Sequence, residues 1–179
     1  MSMSYRTILI DPPWELEMIT GFTKPRNKRA MVLPYPTLTI EQIKKLPIPE
    51  LSEVGSHLWL WCVNRTLHDA IHIMDHWGFK YMTTVTWVKP SGFGAWWINR
   101  TQTCLFGYYK KCEFKNKFQP NVLFAPSRKH SQKPECSYEL IEQVSFAPRV
   151  ELFARSPRAG WDVWGNEVVC DLDLGFPEG

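Results

Sequence analysis

The sequence predicts an α/β protein with a largely parallel central sheet, built as a single domain over residues 1–179. Short runs rich in Ile, Val, Leu and aromatic residues alternate with amphipathic helical segments, which is the order of elements typical of this class. The runs HLWLWC (57–62) and VELFA (150–154) are almost entirely apolar, as expected of central strands covered on both faces. A chain of 179 residues is long enough to enclose one sizeable core.

Strands are predicted where β-branched and aromatic residues are enriched. In chain order they cover residues 5–11, 57–62, 82–89, 103–109, 122–125 and 150–155, with a weaker one at 161–164. Helices are predicted at residues 39–46, 66–77 and 134–144. Thr39 stands three residues before Gln42 in a capping-box pattern, and Gly78 is a stop signal after the second helix. Segments 15–36 and 90–101 carry no regular pattern, so we expect long loops there.

Composition excludes several classes of protein. No window approaches the roughly 18 consecutive apolar residues of a membrane span, and the first residues lack a leader pattern, so neither a span nor a signal peptide is expected. The five cysteines include no C-x-x-C pair, which favours reduced thiols in a cytoplasmic protein over a disulfide framework or a metal site. The net charge of +3 permits contact with phosphate groups without requiring it.

The tetrapeptide Asp11-Pro12-Pro13-Trp14 directly follows the first predicted strand, at the end of the strand where α/β sheets bind ligands. Two prolines fix their own φ angles, so we expect a stiff turn whose carbonyls have no local N–H partner. An acceptor carboxylate, the Pro12 carbonyl and the ring of Trp14 together suit a planar heterocycle that carries an NH₂ group. Alternatively, the turn only ends the strand and Trp14 packs in the core.

The order of motifs resembles the MT-A family of adenine-N6 methyltransferases, which use S-adenosylmethionine (SAM) and include the catalytic subunit of the mRNA adenosine methyltransferase. The matching motifs are ILIDPPW, LPIPEL, HLWLWCVNR, WGF, TWVKP, CLFGYYK, HSQKP, VELFARS and WDVWGNEV. The resemblance implies a Rossmann-like SAM-dependent methyltransferase fold in the permuted form, with the catalytic motif before the cofactor motif. It also implies that the residues of the tetrapeptide are catalytic, with Asp11 gripping the target amine.

The resemblance further implies a set of cofactor residues. Lys133, which opens the third predicted helix, contacts the carboxylate of SAM, since a cation and a helix N-terminus both favour an anion. The other implied contacts are Ile10 and Asp11 at the catalytic motif, Glu151 and Leu152 at the pocket wall, Arg155 near the ribose, and Asn166 and Glu167 at the ribose hydroxyls. Glu167 departs from the Gln of the best-known family members. Because few residues precede Asp11, we expect the tail to fold back so that Asp171 meets the SAM adenine.

Candidate nucleic-acid contacts lie in the two predicted loops. They are Lys24, Arg26, Lys28 and Arg29 in the first loop, and Trp96, Trp97 and Arg100 in the second. Cations contact phosphates and aromatic rings stack on bases, although the tryptophans could equally cover a homodimer or partner-subunit interface. A base inside a duplex cannot meet Asp11, so the target adenine is expected to be flipped out or single-stranded.

The sequence therefore predicts methyl transfer from SAM to the N6 amine of adenine in nucleic acid, with DNA slightly favoured over RNA. Two alternatives stay open at this point: a cytosine-N4 methyltransferase, and a catalytically silent scaffold or nucleic-acid-binding partner of the same fold. The related cytosine-N4 motif usually begins with Ser, so Asp11 argues against the first. Silent relatives commonly lose the acid or the cofactor lysine, so the presence of Asp11 and Lys133 argues against the second.

Overall fold

The computed structural model describes residues 4–15, 37–94, 96–128 and 132–175. Within these residues, seven strands form one sheet in the order β5-β3-β4-β2-β1-β6-β7. The strands are β1 (Tyr5–Ile10), β2 (Ser52–Cys62), β3 (Phe79–Phe93), β4 (Asn99–Tyr109), β5 (Val122–Phe124), β6 (Arg149–Leu152) and β7 (Asp162–Trp164). The helices are α1 (Ile40–Lys44), α2 (Leu67–His76) and α3 (Glu135–Val144), with a short 3₁₀ turn at Asn64–Thr66. No helix in the described ranges is both long and apolar enough to cross a membrane.

The sheet is mostly parallel, as the sequence predicted. Strand β4 pairs antiparallel with both β2 and β3, whereas the pairs β1–β2, β1–β6, β6–β7 and β3–β5 are parallel. Strand β1 lies between β2, which follows it in sequence, and β6, which comes near the end of the chain. The chain thus winds outward from β1 in both directions, and such a switch point is where open α/β sheets bind ligands.

Strand β2 shows why the core has two halves. Leu58 and Leu60 pack into the cluster that receives α1 and α2, whereas Trp59 and Trp61 pack into the cluster that receives α3. Successive side chains of a strand point to opposite faces, so a strand that is apolar at every position must be covered on both. The prediction from HLWLWC is therefore confirmed, and the two layers of helices hold β1 and β2 rigidly at the sheet centre.

The prediction of a long loop at 90–101 is wrong. Strand β3 continues to Phe93 and β4 begins at Asn99, and these two residues pair across a hairpin that extends both strands. Most residues from 90 to 101 are exposed, so the ribbon has no buried face and leaves no alternating apolar pattern to recognise. By contrast, the capping box of Thr39 and Gln42 is confirmed at the start of α1. The other predicted loop falls largely on residues 16–36, which lie outside the described residues.

Candidate active site

Asp11 lies at the carboxyl edge of the central parallel strands. Ile10, the last residue of β1, is in register with Leu60 of β2 and Leu152 of β6. The backbone N–H of Asp11 donates to the Leu152 carbonyl at 3.5 Å, so the residue remains tied to β6 after the strand has ended. Pro12 then turns the chain away from the sheet with its φ fixed by the ring. The carboxylate of Asp11 is thereby presented from a rigid support.

Trp14 anchors this turn in the core. Its ring is only 7% exposed, and its Nε1–H donates to the Trp61 carbonyl at 2.9 Å. The Trp14 N–H donates to the Pro12 carbonyl at 2.9 Å, and the Leu38 N–H donates to the Pro13 carbonyl at 2.8 Å. The expectation of carbonyls without a local N–H partner is therefore wrong for Pro12, because the turn closes on itself, whereas the partner of Pro13 comes from the distant residue 38. A carbonyl oxygen has two lone pairs, so Pro12 retains capacity for a second donor. Stacking by Trp14 stays a prediction.

Lys133 meets Asp11 directly. The two residues are 122 positions apart, yet the Nζ of Lys133 donates a hydrogen bond to the Asp11 carboxylate. Lys133 is 7% exposed, and its Nζ also lies 5.3 Å from the centroid of the Trp61 ring. A buried ammonium group requires such partners, because an unpaired buried charge is very costly. The structure therefore brings the predicted catalytic acid and the predicted cofactor lysine into one site.

Glu151 of β6 is a buried carboxylate beside this pair. It is 6% exposed, and its Oε1 accepts a hydrogen bond from the Tyr138 hydroxyl at 2.8 Å. Burial is the main cause that raises the pKa of Glu151, to about 7. The hydrogen bond from Tyr138 and the charge of Lys133 lower that pKa, whereas the charge of Asp11 raises it further. Glu151 therefore changes charge close to neutral pH.

These groups line one polar cleft of about 180 Å³. Its walls include Asp11, Lys133 and Glu151 together with Tyr138 of α3 and Arg155, which follows β6. A larger cavity of about 410 Å³ is lined by residues of the segment 112–121, but its lining is mostly apolar and includes none of the predicted site residues. Titratable groups that converge at the carboxyl edge of a sheet mark the polar cleft as the candidate active site.

The residues predicted to contact the ribose are Arg155, Asn166 and Glu167. The Nε of Arg155 is 3.9 Å from Oε1 of Glu167, so these two side chains are neighbours. Asn166, which precedes Glu167, is exposed. Gly165 allows the close approach of the two segments, because a Cβ atom there would lie 2.3 Å from the Ala154 carbonyl oxygen. No larger residue fits at that position without moving the backbone.

Asp171 belongs to a tail that folds back along β7, as expected. Its N–H donates to the Val163 carbonyl at 2.9 Å, and its carboxylate accepts from the Val163 N–H at 2.9 Å. These bonds cover the outer edge of β7 in the way that another strand would. The carboxylate is thus occupied in part by the backbone of β7, and its contact with an adenine stays a prediction.

The candidate nucleic-acid residues divide into two groups. Trp96 and Trp97, at the tip of the β3–β4 hairpin, are 75% and 82% exposed, whereas the other seven tryptophans are buried. Arg100 is exposed at the base of the tip, where its Nε–H donates to the Lys89 carbonyl at 2.9 Å. The basic residues of the first segment, Lys24, Arg26, Lys28 and Arg29, lie outside the described residues.

Sequence reasoning missed Tyr138 and Arg158. Tyr138 precedes Glu151 by 13 residues on a helix that the periodicity predicts, but no pattern pairs a helix position with a strand position. Arg158 follows β6 and binds back to α3, where its Nε lies 2.7 Å from Glu142. A tyrosine five positions after the cofactor lysine was the only available signal, and that spacing alone predicts no contact.

The model of the MT-A70 family matches residues 5–167, which span β1 to the turn after β7 and include Asp11, Lys133 and Glu151. The chain belongs to the MT-A70 family. This confirms the resemblance predicted from the order of the motifs, and the mostly parallel sheet with helices on both faces is the corresponding Rossmann-like methyltransferase fold. The predicted catalytic motif after β1 precedes the β6 segment in sequence, which is the permuted order, and β1 and β6 are neighbours in the sheet.

The chain is similar to several methyltransferases along most of its length. A putative N(6)-adenosine-methyltransferase MT-A70-like protein of Medicago truncatula is 29% identical over 176 residues, covering 92% of this chain and 26% of the relative. The human N(6)-adenosine-methyltransferase catalytic subunit METTL3 is 28% identical over 177 residues, covering 92% and 28%. Type II methyltransferase M.MunI of a Mycoplasma species is 27% identical over 183 residues, covering 92% and 78%. This MT-A70 chain thus spans about a quarter of the plant and human relatives.

Proposed function

We propose that this MT-A70 protein transfers a methyl group from SAM to the N6 amine of adenine in nucleic acid. The observation that carries the proposal is the cleft in which Asp11, on its rigid turn, adjoins Lys133 and Glu151. The plant and human relatives are named N(6)-adenosine-methyltransferases, which supports an adenine amine as the acceptor. SAM supplies the reactive methyl group when bound, and the protein supplies orientation and charge.

The residues around the cleft have the chemistry that SAM needs. Lys133 offers a buried ammonium group for the carboxylate of the methionine part. Ile10 and Leu152 are fully buried at the strand ends and are not part of the cleft lining, so their contact with SAM stays a prediction. Beyond them, Arg155, Asn166 and Glu167 offer donors and acceptors for vicinal ribose hydroxyls. The close pair of Arg155 and Glu167 supports the departure from Gln at position 167, because Arg155 compensates the added charge.

Asp11 is proposed to hold the acceptor. Its carboxylate accepts a hydrogen bond from one N–H of the adenine amine, and the remaining lone pair of the Pro12 carbonyl accepts a hydrogen bond from the other. Gripped in this way, the nitrogen lone pair turns out of conjugation with the ring and toward the methyl group. The same carboxylate stabilises the positive charge that develops on the nitrogen during transfer.

The nucleic acid is proposed to reach the cleft as a flipped or single-stranded adenine. Trp96 and Trp97 stack on neighbouring bases, and Arg100 contacts the backbone, with Lys24, Arg26, Lys28 and Arg29 adding phosphate contacts. Among nucleic acids we place DNA ahead of RNA, because a relative of which this chain covers 78% is named a type II methyltransferase.

The test incubates the protein with methyl-labelled SAM and matched single- and double-stranded DNA and RNA of one sequence, followed by nucleoside analysis. We expect labelled N6-methyladenine, with more product from DNA. Labelled N4-methylcytosine would replace the proposal by the cytosine alternative. SAM binding without product on any of the four substrates, in the absence and presence of candidate partner subunits, would favour the silent binding module.

A further inference from the structure

We propose that Tyr138 is a positioning residue that orients Glu151, and that Glu151 binds the ammonium group at the methionine end of the cofactor. This inference rests on the proposed function, because it names what one wall of that site recognises. The supporting geometry is a hydroxyl on α3 that donates to Glu151 Oε1 at 2.8 Å, inside the cleft that also contains Asp11 and Lys133.

Glu151 forms no salt bridge with a cation among the described residues. The charged groups that act on it are Asp11 after β1, Lys133 before α3 and Arg158 after β6, and the cleft is also lined by Arg128, Glu135 and Arg155. The ammonium of Lys133 is already bonded to Asp11, and Arg158 is bound to Glu142 and Glu135 of α3. Within the described residues, the buried carboxylate of Glu151 therefore accepts its hydrogen bond from a neutral group, the Tyr138 hydroxyl. An amino-acid end group fits this arrangement, with its carboxylate at Lys133 and its ammonium at Glu151.

Tyr138 is well fixed for this role. The guanidinium carbon of Arg158 lies 4.7 Å from the centroid of the Tyr138 ring, and the Trp161 ring meets it edge-on at 6.0 Å. The Nε1–H of Trp161 donates to Glu142 at 2.8 Å and Arg158 forms a salt bridge with Glu135, so the segment after β6 is bound to α3 on both sides of the tyrosine. Because the ring has its own contacts, removal of the hydroxyl leaves the packing in place and changes only the partner of Glu151.

The Tyr138 hydroxyl also affects the pH at which the Glu151 carboxylate ionises. Burial raises the pKa of Glu151 to about 7, and the hydrogen bond from Tyr138 lowers it from where burial alone would leave it. An ammonium ligand requires the ionised carboxylate, so binding to the protonated form releases one proton to solvent and affinity rises as pH passes through 7. Loss of the hydroxyl raises this pKa further, so the rise in affinity moves to higher pH.

The experiment measures the affinity of S-adenosylhomocysteine for wild type and for Tyr138→Phe by calorimetry between pH 6 and pH 9. We expect the variant to bind about tenfold more weakly at pH 7 and to approach wild type at pH 9. Tyr81→Phe is the matched control, because its exposed hydroxyl bonds to Thr84 at 2.8 Å and lies outside the cleft lining. The ligand control is 5′-methylthioadenosine, which lacks the ammonium group and should bind both proteins alike at every pH.

A second measurement is independent of any ligand. Carbon-13 NMR of the glutamate carboxyls, assigned with Glu151→Gln, should place the Glu151 midpoint near 7 in wild type and higher in Tyr138→Phe. Parallel pH profiles for the two proteins, or an equal loss of 5′-methylthioadenosine affinity, would overturn the positioning role and leave the proposed function intact. Failure of wild type to bind S-adenosylhomocysteine at any pH would instead contradict the proposed function itself.

Discussion

Charged side chains are usually exposed and large aromatic ones usually buried, and the cleft and the β3–β4 hairpin are exceptions of opposite kinds. The cleft keeps Lys133 and Glu151 almost wholly covered, whereas the hairpin tip leaves Trp96 and Trp97 almost wholly exposed. Buried charges are costly unless they are paired, and exposed indole rings forgo the gain of burial. Internal partners offset this cost in the cleft, while most of the surface of Trp96 and Trp97 at the hairpin tip is exposed to solvent. This difference in burial fits the proposed roles, which are recognition of a small charged cofactor at the cleft and stacking on nucleic-acid bases at the hairpin tip.

The largest expected effect comes from Asp11→Ala. Loss of the carboxylate removes the acceptor of the amine and the charge that stabilises the alkylated nitrogen, so turnover should fall about a hundredfold or more. The affinity for SAM should stay within about threefold of wild type, because Lys133 remains free to bind the methionine carboxylate. Single-turnover kinetics and calorimetry separate the two quantities. Retained turnover would show that Asp11 is not the acceptor of the target amine.

A smaller effect, confined to the cofactor, is expected from Lys133→Met, which retains an unbranched apolar chain over Trp61. Loss of one charge-assisted hydrogen bond should weaken binding of S-adenosylhomocysteine about ten- to a hundredfold. Lys89→Met is the matched control, because Lys89 lies over the neighbouring Trp87 ring but does not line the cleft. Equal losses in the two variants would show that the effect is one of net charge and not of a specific contact.

The smallest effect is expected at the hairpin. Trp96→Ala and Trp97→Ala should each weaken binding of a single-stranded oligonucleotide about tenfold, since stacking on one base contributes roughly 1–3 kcal/mol. Both variants should retain wild-type affinity for S-adenosylhomocysteine and a similar melting temperature, because these rings are exposed and outside the core. Phe118→Ala supplies a fully exposed aromatic control outside the hairpin. Unchanged oligonucleotide affinity together with a shift in sedimentation would assign the hairpin to a subunit interface instead.

Much of the fold was predictable because its signals are local. The nearly continuous apolar run HLWLWC predicted a strand buried on both faces, and Thr39 with Gln42 predicted the start of α1. The tetrapeptide after β1 marked the site, since two prolines end a strand stiffly wherever they occur. The order of the motifs was sufficient to predict the family. Signals failed where residues lacked a buried face, as at 90–101, or where a distant backbone paired with a turn, as Leu38 does with Pro13.

By itself, then, the sequence determined the class of the fold, its central strands and the chemical identity of the acid and the lysine. Only the tertiary structure decided that Lys133 bonds to Asp11, that Trp14 is an anchor in the core, and that Tyr138 donates to Glu151. The physical reason is that periodicity records which face of one element is apolar, which is a property of neighbouring residues. The partner of a buried charge is set by the packing of separate elements across the sheet, and no spacing along the chain encodes it.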